Sequence, residues 1–574
     1  MGISAWPMKV YPSPYPPVEV TQESIFTYLF QTTFDKYPAD ARAFVEASTG
    51  QAISRGQLKQ LSLSFAYGIR DYFPKVGGIS LKRGDVVMLF SPNSLSWPIM
   101  MFGSIAAGLV PTLANSAYTA RELAFQWNDS DAKAVLVHPA LLPVILEMFK
   151  SLDVSASDAR RRIIIADYDQ VNREGALGQF LHLEDLLGVG SWKEEEEASG
   201  EKADETALLC YSSGTTGKPK GVQTMHRNMT AMMPMLEAIL PPTDTNDMCL
   251  GVLPFYHVYG AVNILMNMFF GGAAILIVPK FDPIEFFQLI EQYKVTLLLI
   301  VPPMHLAFAR HPAVAKFNMK SLRWVTCSAA PLPVSLLHEV RKRLASLGST
   351  PYLTQGYGCT ETSPATHVVH YEDWFHKAGS IGRLLPNLEA RIVLENGEEA
   401  PIGTPGELWV RGPSVMKGYL NNPEATAGSI TEDGWLRMGD IVTMDEDGFY
   451  YVLDRLKELI KYKGFQVAPA ELEDLLIQHP DIADAGVVGV YSEDQATELP
   501  RAYIVRKPTS QTDPAALSKE VQSWVEGRVA RHKYLRGGVV VIDAIPRSAA
   551  GKMLRRELRD RAKTEVNIDA RAKL

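Results

Sequence analysis

Cysteine is scarce in this chain. Cys210, Cys249, Cys327 and Cys359 are its only four in 574 residues, and none lie close enough in sequence to form the paired ligands of a structural zinc site or a small disulfide framework. That usage points to a reducing compartment. An excess of basic charge is also missing: 57 Lys and Arg stand against 65 Asp and Glu, a net charge of -8. No global field exists to hold a polyanion by counterion release, which argues against nucleic acid as a main partner. A small anionic ligand stays open, since a few amides and lysines suffice for one. The N-terminal Met1-Gly2-Ile3-Ser4-Ala5-Trp6-Pro7 has no basic flank and apolar run of a secretory leader, and Trp6 stands where a myristoylation signal needs Ser or Thr. Uninterrupted apolar runs are lacking too. Val86 to Ala120 carries no charge, yet Pro92, Pro98 and Pro111 break it, and Leu250 to Pro279 is broken by Pro254, His257 and Gly271-Gly272. Both read as buried strand, turn and core helix, so no transmembrane segment is expected.

What is present is the composition of an ordinary globular protein, 46% hydrophobic and 21% charged, long enough for about four structural units. Residues 1–20, with Tyr11-Pro12-Ser13-Pro14-Tyr15-Pro16-Pro17, read as an extended surface arm. Short β-branched runs at Asp85 to Phe90, Ala134 to Val137, Arg162 to Ile165, Leu297 to Val301 and Trp324 to Cys327 alternate with helical patterns, which predicts an α/β fold with parallel sheets. After about residue 385 short strands and turns such as Asn396-Gly397 predict a β-rich subdomain. The charged Asp454-Arg455-Leu456-Lys457-Glu458 marks a boundary near residue 455. The expected plan is an arm (1–20), a large N-terminal domain (21–454) and a small mobile α+β C-terminal domain (455–574). Lys193 to Glu197 reads as a solvated loop with no ligand.

The strongest local signal is Tyr211-Ser212-Ser213-Gly214-Thr215-Thr216-Gly217-Lys218-Pro219-Lys220-Gly221, after the strand-like Ala207-Leu208-Leu209-Cys210. Glycines, hydroxyls and lysines in one short loop can surround phosphates with amides, hydroxyls and cations. It is not the usual nucleotide P-loop, because two residues separate Gly214 from Gly217 and Pro219 follows the lysine.

This loop, continuing into Val222-Gln223-Thr224-Met225-His226, resembles the signature of the adenylate-forming superfamily of acyl-CoA synthetases, firefly-type luciferases and peptide-synthetase adenylation domains. Further segments match in order: Leu253-Pro254-Phe255-Tyr256-His257-Val258-Tyr259, Ala329-Ala330-Pro331-Leu332, Gln355-Gly356-Tyr357-Gly358-Cys359-Thr360-Glu361, Gly439-Asp440, Asp454 to Gln466, and Pro546-Arg547-Ser548-Ala549-Ala550-Gly551-Lys552. The stretch Lys461-Tyr462-Lys463-Gly464-Phe465-Gln466-Val467-Ala468-Pro469 is most similar to 4-coumarate:CoA ligase-like acyl-CoA ligases.

The resemblance implies an ATP- and Mg²⁺-dependent acid:CoA ligase, which turns a carboxylate into an acyl-AMP with loss of pyrophosphate and then passes the acyl group to CoA. It implies that Ser212, Ser213, Gly214, Thr215, Thr216 and Lys220 grip the β and γ phosphates, that Thr360 contacts the α-phosphate, and that Glu361 with Thr216 holds Mg²⁺. Asp440 is expected to take the ribose hydroxyls, with Arg455, Gln355, Gly356 and Tyr357 around the nucleotide. Lys552 resembles the catalytic lysine between carboxylate and α-phosphate. Lys461 and Gln466 are expected to serve the two orientations of the C-terminal domain, and Lys457 the hinge. Lys280, Lys463 and Gly464 fall where relatives meet CoA. His257, Tyr259, Ser328, Ala330, Gly356, Pro364 and Val368 are expected around the acyl group, with His257 a gate or floor rather than a base and Val368 equally explained by packing.

Three departures stand out: Met438 replaces a usual Thr, Ser328 replaces a common Gly, and Val262 occupies the position three after the pocket tyrosine where plant hydroxycinnamate ligases carry Asn, with Asn263 following. The last argues against 4-coumarate itself, since an unpaired phenol costs about 1–3 kcal/mol in a dry pocket. Aryl-propenoic, aryl-acetic and medium-chain fatty acids all remain open as substrates. Rival readings are adenylation with another acceptor, a carrier protein or a luciferase-like oxidation, and a silent acyl or nucleotide sensor. The terminal Ala572-Lys573-Leu574 is a close variant of the Ser-Lys-Leu tripeptide read by the peroxisomal import receptor, so the expected location is the peroxisome, or otherwise the cytoplasm.

Overall fold

The structure, a computed structural model, describes residues 9–571 apart from 169–172, 213–218, 331, 457, 463–464, 493–494, 496, 530 and 549–550; for 465–466 and 566–571 it describes the backbone alone. Two large sheets carry most of the chain. An eight-stranded sheet holds parallel Val86–Phe90, Val110–Leu113, Ala132–Val137 and Ile163–Ile165. A nine-stranded sheet holds parallel Arg42–Glu46, Met248–Gly251, Ala274–Ile277, Leu297–Ile300, Trp324–Cys327 and Tyr352–Tyr357. Leu297–Ile300 is buried along its whole length, as a continuous apolar run must be when both sheet faces are covered.

The uncharged stretch from Val86 becomes strand Val86–Phe90, helix Ser96–Ala106 and strand Val110–Leu113, and every helix residue is buried. The helix is thus apolar all round because it lies inside the protein. Among the described residues no helix is long and apolar enough to cross a membrane. Asn93, just after the first of these strands, donates to the carbonyls of Gly251, Leu253 and Val278 and accepts from the amide of Phe255 at 2.9 Å. A single buried carboxamide therefore ties the end of one large sheet to the loop that leaves the other, at about 1 kcal/mol for each net hydrogen bond.

A five-stranded antiparallel sheet follows, of Glu389–Val393, Gly406–Arg411, Leu436–Met444 and Tyr450–Arg455 with Tyr11–Pro12 at its edge. The extended segment near the N-terminus lies on this sheet: Tyr11 pairs with Ala390, and the Asn387 side chain accepts from the Val18 amide at 2.8 Å and donates to its carbonyl at 2.7 Å. Proline confines such a segment to an edge, where its missing N–H faces no neighbour. The acidic run Lys193 to Glu197 departs from expectation. Glu195 is half-buried, accepting from the hydroxyls of Ser24 and Thr27 and from the Thr27 amide at 3.1 Å, and so satisfies donors that the turn Ile25–Thr27 leaves open.

The last part of the chain builds a separate three-stranded sheet from Ile482–Ser492, Thr497–Arg506 and Val539–Val541. Ala485 and Val487 face one apolar cluster with Leu472 and Val521, while Val488 faces a second with Leu558, the alternation of a sheet covered on both sides. A tight hairpin then forms: Ser548 donates its amide to the Lys552 carbonyl at 2.8 Å, and the Lys552 amide donates back to the Ser548 hydroxyl at 3.2 Å. Arg547 anchors it through two bonds to Asp484 at 2.9 and 3.1 Å.

Candidate active site

A cavity of about 600 Å³ opens where these units meet. It lies beyond the carboxyl ends of parallel strands, where open α/β sheets place ligands. Strand Tyr352–Tyr357 runs directly into it, followed by Gly358 and the helical turn Thr360–Thr362. Gly358 is required at this bend, since a Cβ there would come within 2.0 Å of the Pro364 carbonyl oxygen.

At the polar end Glu361 accepts from the Ser212 hydroxyl at 3.0 Å and from the Tyr419 hydroxyl at 2.9 Å. Lys220 lies over the Tyr419 ring, 4.0 Å from its centroid. Tyr357 donates its hydroxyl to Asp440, whose other oxygen lies 3.5 Å from the Arg455 guanidinium. Burial pushes the Asp440 carboxyl up and the Tyr357 phenol far up. Burial also pulls on Arg455, but Asp440 and Glu458 more than offset it, so its net shift is upward and it stays charged.

Lys552 enters this end on its hairpin. Burial, then repulsion from Arg455, lowers its pKa, while Glu458, Asp440 and Glu361 oppose the shift. Gly551 fixes the approach: it has φ +79, and a Cβ there would stand 2.9 Å from Val301 Cγ2. Only a glycine lets the hairpin backbone sit this close to the large domain.

The cavity is also lined by Leu236, Leu240, Leu299 and Trp324 and by Tyr256–Tyr259 with Asn263 and Asn267 of the helix that follows. His257 is held in its turn by the Tyr259 amide, which donates to Nδ1 at 3.2 Å. Burial, helped by Lys552, pulls its pKa down to about 4. The helix Tyr259–Met268 is wound in wide i→i+5 turns. That winding moves the pocket-facing position by one: Asn263 lines the cavity, whereas Val262 is buried in the core. Counting three from Tyr259, as an α-helical register suggests, picks the wrong residue.

Of the residues expected from sequence, the cavity gathers Ser212, Lys220, His257, Tyr259, Ser328, Gly356, Tyr357, Thr360, Glu361, Pro364, Val368, Asp440, Arg455 and Lys552. Ala330 is not on its wall; Ala329, in a left-handed turn at φ +70, lines it instead. Gln355 also points away, donating to the Ser380 carbonyl at 3.4 Å. Lys280 is exposed and outside the cavity, and Lys461 is exposed on strand Ile460–Tyr462, its amide bonded to Glu498 at 2.8 Å. Ser213, Gly214, Thr215, Thr216, Lys457, Lys463 and Gly464, the side chain of Gln466 and the terminal tripeptide lie outside the described residues. Tyr419 and Asn267 escaped the sequence reading, and Asn263 entered it only as the residue after Val262, because no local pattern marks which side chains the tertiary structure turns into a cavity.

A large α/β unit, a small C-terminal unit and a buried lysine carried from the second into an anion-suited cleft of the first define an enzyme that works on a charged substrate between two parts of its chain. The chain belongs to the AMP-binding enzyme family, whose model matches residues 30–420, with the family's C-terminal domain matching 471–552. It is 37% identical to Probable 4-coumarate–CoA ligase 1 of Dictyostelium discoideum over 84% of this chain and 86% of that protein. It is 35% identical to Peroxisomal OPC-8:0-CoA ligase 1 of Arabidopsis thaliana over 90% of each. Its fold superposes on ATP-bound MatB from Rhodopseudomonas palustris with a TM-score of 0.79 at 27% identity, covering 94% of this chain and 99% of that one.

Proposed function

We propose that this chain is an ATP-dependent acid:CoA ligase that makes AMP and pyrophosphate, acting on an aryl-propenoic, aryl-acetic or medium-chain fatty acid. The observation that carries it is the meeting of Lys552, Glu361, Asp440 and Arg455 in one cavity that Leu236, Leu240, Leu299 and Trp324 also line.

In the first step a substrate carboxylate oxygen attacks the α-phosphorus of ATP, forming the acyl-phosphate bond as the bond to pyrophosphate breaks. Negative charge gathers between carboxylate and phosphate, and Lys552 meets it with a poorly solvated cation, which acts more strongly there than in water. Asp440, oriented by Tyr357 and Arg455, accepts from the ribose hydroxyls, and Thr360 holds the α-phosphate. Ser212, Ser213, Gly214, Thr215, Thr216 and Lys220 surround the outer phosphates, with Gly356 and Tyr357 bordering the nucleotide. A carboxylic acid is already ionised at neutral pH, so no base is needed, and His257 with a pKa near 4 serves as the neutral floor under the carboxylate. Mg²⁺ would suit the Glu361 carboxylate and substrate phosphates, with Thr216 as its further expected ligand, and would neutralise phosphate charge.

In the second step the CoA thiol attacks the acyl carbon, the bond to AMP breaks and the thiol proton passes to solvent. Lys552 must withdraw for this, so the C-terminal domain turns about Lys457 and brings Lys461, Lys463 and Gly464 to the site, with Lys280 meeting CoA and Gln466 leaving its adenylation contact. In this reading the chain divides into an arm (1–20), an N-terminal domain (21–454) and a mobile C-terminal domain (455–574).

Purified protein with ATP, Mg²⁺, CoA and a panel of acids should yield acyl-CoA and AMP by mass spectrometry. The absence of any acid-dependent pyrophosphate–ATP exchange would overturn adenylation, and acyl-AMP without thioester would move the reading to another acceptor. Peroxisomal residence through the import receptor is supported by Ala572-Lys573-Leu574; deleting the three residues should leave the protein in the cytoplasm.

A further inference from the structure

Tyr419 touches two oppositely charged residues of the cavity and has no part in the chemistry described above. Its hydroxyl donates to the Glu361 carboxylate at 2.9 Å, on the same oxygen, Oε1, that accepts from the Ser212 hydroxyl at 3.0 Å. The Lys220 ammonium stands over the face of its ring, 4.0 Å from the centroid. Lys220, Glu361 and Tyr419 are far apart in the chain, and all three line the cavity.

The backbone holds Tyr419 between the other two. The strand Gly418–Tyr419 pairs antiparallel with Lys220–Met225, Tyr419 opposite Val222. The Leu420 amide donates to the Gly221 carbonyl at 2.8 Å, next to Lys220, and the Met416 amide donates to the Glu361 carbonyl at 2.9 Å. The Tyr419 amide donates to the Thr426 hydroxyl at 2.9 Å. The ring position is thus set by backbone bonds on both sides, and it imposes a direction on the longer, more flexible side chains of Glu361 and Lys220. A phenylalanine would fill the same space, so packing does not account for the hydroxyl.

We infer that Tyr419 is a positioning residue for the phosphates of the nucleotide, its hydroxyl fixing the Glu361 carboxylate for the Mg²⁺ that accompanies ATP and its ring face seating the Lys220 ammonium. The inference rests on the acid:CoA ligase reading, which brings phosphates and their cation to these residues. A hard cation takes carboxylate oxygens, and a carboxylate held by hydrogen bonds is a better ligand than one free to turn. The two contacts have different signatures. Glu361 favours a nucleotide only through a cation, since carboxylate and phosphate otherwise repel, so loss of the hydroxyl is felt only with the metal present. Lys220 attracts phosphate with or without the metal, so loss of the ring is felt in both conditions.

The full chain is titrated calorimetrically with ATP, once in EDTA and once with saturating Mg²⁺. In Tyr419→Phe the affinity with Mg²⁺ should fall about tenfold or more, while the affinity in EDTA stays within about twofold of wild type. In Tyr419→Leu the affinity in EDTA should fall as well, by about threefold or more. An affinity does not depend on the fraction of a preparation that fails to fold, and the melting temperature of Tyr419→Phe should stay near that of wild type. An affinity with Mg²⁺ unchanged in Tyr419→Phe, or an equal loss in both conditions, overturns the role of the hydroxyl, and an affinity in EDTA unchanged in Tyr419→Leu overturns the seat; either leaves the ligase standing. Wild-type protein that binds ATP with Mg²⁺ but forms neither acyl-AMP nor thioester from any acid overturns the ligase reading, while the two variants still decide the part played by Tyr419. Wild-type protein that binds no ATP overturns both.

Discussion

Tyr357 and Asp440, 83 residues apart in the chain, are joined by a hydrogen bond from phenol to carboxylate on the wall of the cavity. The bond crosses from the end of a parallel strand in the large α/β core to the antiparallel sheet that follows it. It points a buried carboxylate in one direction and leaves its second oxygen near Arg455. Tyr357→Phe removes the orienting donor. Calorimetric titration should show ATP binding weakened about 10- to 100-fold, the loss of one hydrogen bond to a charged group at about 1.5–3 kcal/mol; unchanged affinity would mean that Asp440 is not a nucleotide ligand.

Lys552→Ala should lower acid-dependent pyrophosphate–ATP exchange by about 10²- to 10³-fold, the usual loss when one preorganised charge is taken from a transition state. ATP binding should change little. Because burial lowers the pKa of this amine, wild-type adenylation should also lose activity on the alkaline side at lower pH than an ordinary lysine would dictate. Retained exchange in the variant removes Lys552 from the chemistry.

Lys461 stands outside the cavity in this arrangement. Lys461→Ala should therefore leave pyrophosphate exchange within about twofold of wild type while slowing thioester formation about tenfold or more. Single-turnover assays that start from acyl-AMP isolate the second step. Equal loss in both half-reactions sinks the division of labour.

Gly551→Ala tests how the lysine is delivered. The added methyl must enter space held by Val301, at a backbone angle that L side chains rarely adopt. Adenylation should fall about tenfold or more, whereas CoA transfer to preformed acyl-AMP should persist. Loss of both, with a lowered melting temperature, would make the glycine a folding residue instead.

Four histidines whose pKa is pulled to about 4 or below bear on the acid stability. Burial pulls His226, His257 and His305 down to about 4 and His367 to about 3. The unfolded chain takes up protons near pH 6.5 that the folded chain refuses until about pH 4, so stability falls as pH drops through that window. Each histidine contributes about 2 kcal/mol of that loss between pH 7 and pH 5. Burial raises Asp454 and Asp474 to about 6, which has the opposite sign and returns about 1 kcal/mol each over the same range. Calorimetric melting temperature should thus fall clearly from pH 7 to pH 5, and His305→Gln should shrink the fall. An unchanged Tm rejects the neutral burial of these rings.

The chain order of residues by itself determined the α/β core, because β-branched runs such as Leu297–Ile300 can be satisfied only between covering helices. It also marked the expected phosphate loop, whose residues 213–218 lie outside the described ones, and the Gly551-Lys552 motif, because both signals are local: hydroxyls, glycines and a cation within a few residues of one another. It could not place the arm at Tyr11–Pro12 on the edge of a sheet formed more than 370 residues later, or show Glu195 as the partner of Ser24 and Thr27, since pairing across such distances leaves no local pattern. Only the tertiary structure decided that Ala329 rather than Ala330, and Asn263 rather than Val262, line the cavity. The reason is geometric. A side chain's direction depends on the backbone angle and helical pitch beneath it, and both the left-handed turn at Ala329 and the wide winding from Tyr259 to Met268 are imposed by packing around the cavity rather than by residue type.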